Sequence, residues 1–178
     1  ANVRLLACGT PVQRPGERTL EARSIPGGLL LQESDHRLAR ASELVHAAGP
    51  KPTPATINAA LALEPIGRSL LSNAVLIGGF ADPATPNAIS LFGAGAGQMD
   101  RVTSCRIAVE KAGARAKGAI VFSDAFFPFA DGPKILIDAG VSTLVHPGGS
   151  KRDQETFDLC NQRGVTCRRH SSFLRFMT

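Results

Sequence analysis

Length, composition and charge describe an ordinary globular protein. The chain has 178 residues, of which 43% are hydrophobic and 20% charged, and this length can bury a core without disulfides or metals. No apolar stretch approaches the roughly 20 residues that span a bilayer, and the first residues lack the apolar segment of a signal peptide. We therefore expect a cytoplasmic protein that does not enter membranes.

Charge and cysteine content narrow the expected partners. The net charge of +5 could attract nucleic acid, but Trp and Tyr are absent and the phenylalanines cluster in one motif, which leaves no stacking platform. A small phosphorylated or polycarboxylate ligand is the simpler expectation. Cys8, Cys105, Cys160 and Cys167 form no C-x-x-C pair. They are expected to be reduced, mostly buried thiols, and no metal site is predicted.

The first third of the chain contains few strong patterns. The predicted elements are a strand over 3–8, a polar loop over 12–23, a short buried strand over 29–31, a helix capped by Thr53 or Thr56 and running through Ala62, and a second helix beginning at Pro65.

From Ala74 onward, predicted strands alternate with helices. Strands are predicted over 74–79, 88–92, 119–122, 141–145 and 165–167, and helices over 101–114, 131–139 and 154–162, the last ended by Gly164. This alternation predicts a layered α/β domain with a largely parallel sheet. Ligands collect at the carboxyl ends of such strands, and Asn73 is expected at the opposite end of its strand.

Three alternating glycines, Gly93, Gly95 and Gly97, precede the helix that begins near Arg101. They predict a strand, a glycine turn and a helix, where free backbone N–H groups could face an anion. The spacing matches neither the dinucleotide nor the P-loop fingerprint. A tight structural turn and a ligand-binding loop therefore both remain open.

Six motifs, in order along nearly the whole chain, resemble a known family. They are Asn2–Gly9, Gly27–Gln32, Leu71–Ala74, Gly93–Arg101, Ser123–Phe129 and Pro147–Ser150. Together they resemble the C-terminal half of the AICAR transformylase domain of the bifunctional purine biosynthesis proteins. The resemblance implies that residues 1–178 form a single domain equivalent to the second repeat of that transformylase. The implied fold is a three-layer α/β/α, cytidine-deaminase-like fold with a mixed sheet.

The resemblance also implies a reaction. The family transfers a formyl group from 10-formyltetrahydrofolate to the amine of AICAR. Zinc-dependent relatives of the fold carry H-x-E and P-C-x-x-C motifs, which this sequence lacks, so no metal is expected. The family's Lys-His pair and its closing histidine have no counterpart here. The alternative is therefore a non-catalytic ligand-binding or partner subunit that kept the pocket and lost the chemistry.

Three residues are candidates for catalysis. Asn73 resembles the family asparagine that contacts the formyl group, although an amide at a strand start can also tie backbone segments together. Asp131 resembles an aspartate near the folate and the reacting amine. The phenylalanines around it would raise its pKa, and an N-cap role is compatible. His146 stands where the family usually has glutamine, and it is either a replacement base or structural.

Substrate and folate contacts are predicted at two further groups of residues. Gln98, Arg101 and Arg175 are the candidates for holding substrate charge, with a helix cap and a solvated arginine as the simpler alternative for the first two. The candidates for the folate site lie in two segments. Phe126, Pro128 and Phe129 belong to the phenylalanine motif, and Gly148 and Gly149 belong to a second glycine turn. Core packing is the alternative for the phenylalanines.

Half a transformylase is expected to work as an assembly. In the family, the two repeats pack together and the active sites draw residues from two subunits. A homodimer is therefore expected, or a heterodimer with a first-repeat subunit that supplies the missing base.

Overall fold

The computed structural model describes Ala7, Gly9 and residues 20–33, 38–81 and 88–170. The chain divides into two compact units, one within residues 1–37 together with 174–177, and one that holds 38–173 and Thr178. The predicted strand over 3–8 lies outside the described residues except for Ala7. Within the described ranges, no helix is both long and apolar enough to cross a membrane.

In the first unit, residues 20–33 form a hairpin. Strand β1 (Leu20–Ile25) pairs antiparallel with β2 (Gly28–Glu33) across a turn at Gly27, whose φ of +84° favours glycine. The predicted loop over 12–23 is wrong for residues 20–23, which are strand. The strand over 29–31 is confirmed, but its expected burial is wrong, because in the described part of this unit β2 pairs only with β1.

The described residues of the second unit form a six-stranded sheet and four α-helices. Its strands are β3 (Leu44–Ala48), β4 (Val75–Phe80), β5 (Ile89–Gly95), β6 (Ile120–Ser123), β7 (Thr143–His146) and β8 (Thr166–His170), in the order β3-β8-β7-β6-β4-β5. Its helices are α1 (Pro54–Arg68), α2 (Arg101–Ala112), α3 (Asp131–Asp138) and α4 (Asp153–Arg163), with 3-10 turns at Ala41–Glu43 and Gly113–Ala116. Gly164 ends α4 in the left-handed conformation, as predicted.

The sheet is mixed, as the family resemblance implied. Only β6-β7 and β7-β8 are parallel, whereas β4 runs antiparallel to both β5 and β6, and β3 runs antiparallel to β8. The prediction of a largely parallel sheet is therefore wrong. Strand–helix alternation fixes the sequence of elements but not the direction in which each strand enters the sheet.

The reversed direction of β4 changes the location of Asn73. Val75, at the start of β4, pairs with Gly95 at the end of β5 and with Ser123 at the end of β6. Asn73 therefore lies at the same edge of the sheet as the carboxyl ends of β5 and β6. The expectation that it lies at the opposite edge is wrong.

Helices cover both faces of the sheet and make three layers. One core cluster includes Leu63 of α1 and sheet residues Leu76 and Phe122. The other includes Cys105 of α2 and Leu136 of α3, against sheet residues that point the opposite way. Because side chains alternate along a strand, the central strands β4, β6 and β7 each supply residues to both cores. The α/β/α architecture is confirmed; the name cytidine-deaminase-like stays a prediction.

Helix α1 is continuous, although two helices were predicted. The Thr53 hydroxyl caps it by accepting a hydrogen bond from Thr56 N–H at 3.1 Å. Pro65 lies inside its last turn with an exposed ring, and it removes one backbone donor without ending the helix. The prediction that Pro65 begins a second helix is therefore wrong.

Candidate active site

The predicted turn over Gly93, Gly95 and Gly97 is shorter than expected, because Gly93 and Gly95 belong to β5. A Cβ built on Gly93 would lie 2.2 Å from the Ala108 carbonyl oxygen, and one on Gly95 would lie 2.1 Å from that of Ser104. These two glycines allow α2 to pack directly on β5. Only Gly97, with a φ of +66°, belongs to the turn, where its N–H donates to the Leu71 carbonyl at 2.8 Å. At Gly93 and Gly95 the geometry favours the structural alternative.

The turn delivers Arg101 to the sheet edge as the first residue of α2. Asp100 caps the helix, because its carboxylate accepts hydrogen bonds from the Thr103 N–H and hydroxyl, each at 2.7 Å. The bond from the Thr103 N–H, followed by that from the hydroxyl, lowers the pKa of Asp100. The cap fixes where α2 begins and therefore where the Arg101 side chain enters the protein.

Arg101 is the centre of a buried polar cluster and is only 7% exposed. Its Nη1 forms an ion pair with Asp124 and donates to the Ala74 carbonyl at 3.0 Å and the Ser123 hydroxyl at 3.3 Å. Its Nη2 donates to Asn73 Oδ1 at 2.8 Å. Both terminal nitrogens are thus engaged by protein acceptors. A solvated arginine, the simpler alternative in the sequence, does not describe this side chain.

Asn73 is held by its backbone and its side chain together. The Ser72–Asn73 peptide bond is cis. Asn73 Nδ2 donates to the Gln98 carbonyl at 2.8 Å, the Asn73 N–H donates to the same oxygen at 3.2 Å, and the Ser104 hydroxyl donates to the Asn73 carbonyl at 2.8 Å. Gln98 acts here through its carbonyl, while its side chain donates to Ala96 O at 3.0 Å. The structure therefore brings together Asn73, Gln98 and Arg101, and their proposed contacts with substrate stay predictions.

Asp124 was not singled out from the sequence. It is fully buried directly after β6, where its Oδ1 also accepts the Ala74 N–H at 3.0 Å. The available signal was an aspartate that immediately follows an apolar strand, a position where a buried carboxylate needs a partner. Pairing it with Arg101 required the sheet order, which places the end of β6 beside the start of β4.

The phenylalanine motif is divided between core and surface. Phe127 is buried, whereas Phe126 and Phe129 are 42% and 48% exposed. The guanidinium of Arg152 lies 4.7 Å from the Phe129 ring centroid, a cation–π arrangement that the sequence did not reveal. Core packing therefore describes Phe127 alone. Phe126 and Phe129 lie partly exposed at the surface, and their contact with a ligand stays a prediction.

The second glycine turn lies beside this motif. A Cβ built on Gly149 would lie 4.0 Å from Phe126, and the Ser150 hydroxyl donates to the Pro128 carbonyl at 3.4 Å. Gly148 has a φ of +71°, and Gly149 N–H donates to Asp153 Oδ2 at 2.8 Å. The predicted folate residues thus converge on one surface, and their binding role stays a prediction.

Asp131 is exposed and is the first residue of α3. Its Oδ1 accepts the Gly132 N–H at 2.8 Å, while the N-cap position belongs to Ala130. A carboxylate in the first turn complements the helix dipole. The N-cap alternative is therefore off by one residue, and the side chain is accessible to a ligand.

His146, at the end of β7, is fully buried. Gly148 N–H donates to its Nδ1 at 3.1 Å, so Nε2 carries the proton of the neutral ring and faces Cys167 Sγ at 3.5 Å. Burial lowers the pKa of His146 to about 4, opposed by Asp153 and reinforced by His170 and Arg169. This geometry favours the structural alternative over a replacement base.

The remaining expectations concern cysteines, metals and the last candidate. Cys105, Cys160 and Cys167 are buried free thiols, as predicted. Across the described ranges, no three His, Cys, Asp or Glu side chains group in a way that could hold a metal ion. Arg175 lies outside the described residues.

The fold and site define a three-layer α/β protein with a polar candidate site at one edge of a mixed sheet. The family model described as AICARFT/IMPCHase bienzyme matches residues 1–111, more than half of the chain. The chain therefore belongs to the AICARFT/IMPCHase bienzyme family.

Individual relatives agree with this assignment. Over 175 residues, the chain is 41% identical to the bifunctional purine biosynthesis protein PurH of Cutibacterium acnes, covering 92% of the chain and 30% of that protein. It is 40% identical to PurH of Corynebacterium glutamicum and 35% identical to PurH of Acetivibrio thermocellus, over 93% and 92% of the chain. In each case the chain spans 30% of the relative's length.

Proposed function

We propose that this chain carries part or all of a folate-dependent formyl-transfer site. The reaction moves a formyl group from 10-formyltetrahydrofolate to the amine of AICAR or a related metabolite. The observation that supports it best is the convergence of separate motifs at one edge of the sheet. The starts of β4 and α2 and the residues that follow β6 meet there through the buried bonds of Arg101.

The proposed roles follow from accessibility and hydrogen-bonding capacity. Asn73 is partly exposed and keeps one side-chain N–H beyond the bond to Gln98, which suits it to an oxygen that gains negative charge during acyl transfer. Asp131 is accessible and can accept a proton from the attacking amine. Phe126 and Phe129 provide apolar surface for a flat ring system.

A second candidate function is ligand binding without turnover. It is favoured by the burial of His146, because this histidine, beside the second glycine turn, is inaccessible to a ligand. In this version Asn73, Phe126 and Phe129 contact bound folate or AICAR, and the chemistry belongs to another polypeptide segment.

The two functions can be distinguished by binding and turnover measured on the same preparation. Calorimetry with AICAR and with a folate tests ligand binding, and release of tetrahydrofolate from 10-formyltetrahydrofolate tests the chemistry. Binding with AICAR-dependent release supports the formyltransferase. Binding without release, with and without co-purifying partners, supports the second function, and the absence of both contradicts each.

We further propose that the site is completed by a second polypeptide, in a homodimer or in a heterodimer with a first-repeat chain. The family resemblance supports this, because the counterpart of the Lys-His pair must come from elsewhere. Light scattering on the purified chain tests the assembly. A monomer at micromolar concentration that co-expressed neighbours leave unchanged would contradict it.

A further inference from the structure

We propose that Asp124 is a positioning residue, which acts through Arg101 to fix the orientation of the Asn73 carboxamide so that Asn73 presents an N–H group to the ligand. Only the identity of that ligand rests on the proposed function. The positioning itself rests on the geometry of three side chains.

Asp124 is anchored to the same stretch of backbone that carries Asn73. Its Oδ1 accepts the Ala74 N–H at 3.0 Å, and its own N–H donates to the Ala74 carbonyl at 3.1 Å. The carboxylate is fully buried and forms its ion pair with Nη1 of Arg101. The guanidinium is planar and rigid, so fixing Nη1 also fixes the direction of Nη2.

The direction of Nη2 decides which way the Asn73 amide points. A guanidinium only donates hydrogen bonds and a backbone carbonyl only accepts them. Oδ1 of Asn73 must therefore face Arg101, 2.8 Å from Nη2, and Nδ2 must face the Gln98 carbonyl at 2.8 Å. The flipped amide would place N–H against N–H and oxygen against oxygen. The second N–H of Nδ2 donates no hydrogen bond to another described residue, so it is available to a ligand oxygen.

Two backbone hydrogen bonds of Asn73 are independent of this ion pair. The bonds from its N–H to the Gln98 carbonyl and from the Ser104 hydroxyl to its carbonyl, at 3.2 Å and 2.8 Å, involve neither Asp124 nor Arg101. Loss of the ion pair should therefore free the Asn73 carboxamide from Arg101, while these two bonds hold the backbone of Asn73 in place. This separates a positioning role from a general contribution to folding.

The test is hydrogen exchange of the Asn73 side-chain amide, observed by NMR and assigned by the signal that disappears in Asn73→Ser. We expect the Asn73 side-chain amide to exchange at least about tenfold faster in Asp124→Asn and in Arg101→Lys. The single lysine nitrogen cannot occupy both guanidinium positions. A tenfold change is the size expected for the loss of one hydrogen bond to a charged group. The backbone amide of Asn73 should stay protected. Asp138→Asn, the same change in an exposed ion pair with Lys134 and Arg163, should have no effect.

Removal of one buried charge can prevent folding, so a neutral pair is the second variant. Arg101→Gln with Asp124→Asn removes both charges together, which buried pairs tolerate better than loss of one. It should fold and still release the Asn73 side chain. Unchanged shifts and exchange of that amide in every folded variant would overturn the proposal.

The outcome is separable from that of the proposed function. If the Asn73 amide exchanges faster in the variants but the wild-type chain never transfers formyl groups, the positioning role is supported and the proposed enzymatic function is contradicted. If the variants still transfer formyl groups and their Asn73 amide is unchanged, the positioning role is contradicted and the enzymatic function is supported.

Discussion

Substitution of Gly95 by alanine tests the contact that places α2 against the sheet. The new Cβ would lie 2.1 Å from the Ser104 carbonyl oxygen, which is more than about 1 Å closer than an ordinary van der Waals contact. A backbone oxygen cannot rotate away, so α2 must shift together with Arg101 and Ser104. Overpacking of this kind costs about 3 kcal/mol, toward the upper end of its usual range. A chain of this length should then melt roughly 6–12 °C lower.

Gly79→Ala is the matched control, because Gly79 lies in the neighbouring strand β4 and its Cβ would meet only the Phe92 ring at 3.4 Å. Thermal and urea unfolding of both variants measure the difference. We expect Gly79→Ala to change the free energy of unfolding by less than about 1 kcal/mol. Equal stability of the two variants would refute the close packing of β5 on α2.

Three further predictions concern local features of the fold. Thr53→Ala should cost about 1 kcal/mol in urea unfolding through loss of the α1 cap, while Thr53→Ser keeps it; equal losses in both would count against capping. Because folded His146 has its pKa lowered to about 4, the unfolded chain binds the extra proton, and roughly 3 kcal/mol of stability present above pH 6.5 should disappear as the pH falls toward 4. His146→Gln should flatten that part of the profile and exposed His46→Gln should not; the reverse would show that the slope arises elsewhere. Burial raises the pKa of Cys105 to about 12, so iodoacetamide should label its peptide at pH 8 far faster after unfolding, and equal rates by mass spectrometry would contradict its burial.

The sequence predicted the bounds of strands and helices better than it predicted the arrangement of the strands in the sheet. Strands after Ala74 and the helices over 101–114 and 131–139 were found close to their actual bounds, because apolar periodicity and glycine ends are local properties. Strand direction is a property of the whole sheet. The location of Asn73 was therefore wrong, although its strand was right.

In the candidate site, too, local features were predicted from the sequence, whereas contacts that depend on the fold were missed. Gly97 was correctly associated with a turn, but Gly93 and Gly95 serve close packing, which depends on a helix that a sequence pattern cannot place above them. Asp124 escaped notice because its partner Arg101 becomes a neighbour only through the order β6-β4-β5. The burial of His146 likewise follows from the position of β7 inside the sheet.

The central claim is that this sheet edge performs formyl transfer through Asn73. The most direct test is the AICAR-dependent release of tetrahydrofolate from 10-formyltetrahydrofolate by the chain with its co-purifying partners, compared with Asn73→Ala and with Asn58→Ala on the exposed side of α1. We predict a rate that falls about 100-fold or more in Asn73→Ala, the usual loss for one donor to a developing oxyanion, and that Asn58→Ala leaves unchanged. No AICAR-dependent release from the wild type, or equal rates in both variants, would contradict the claim.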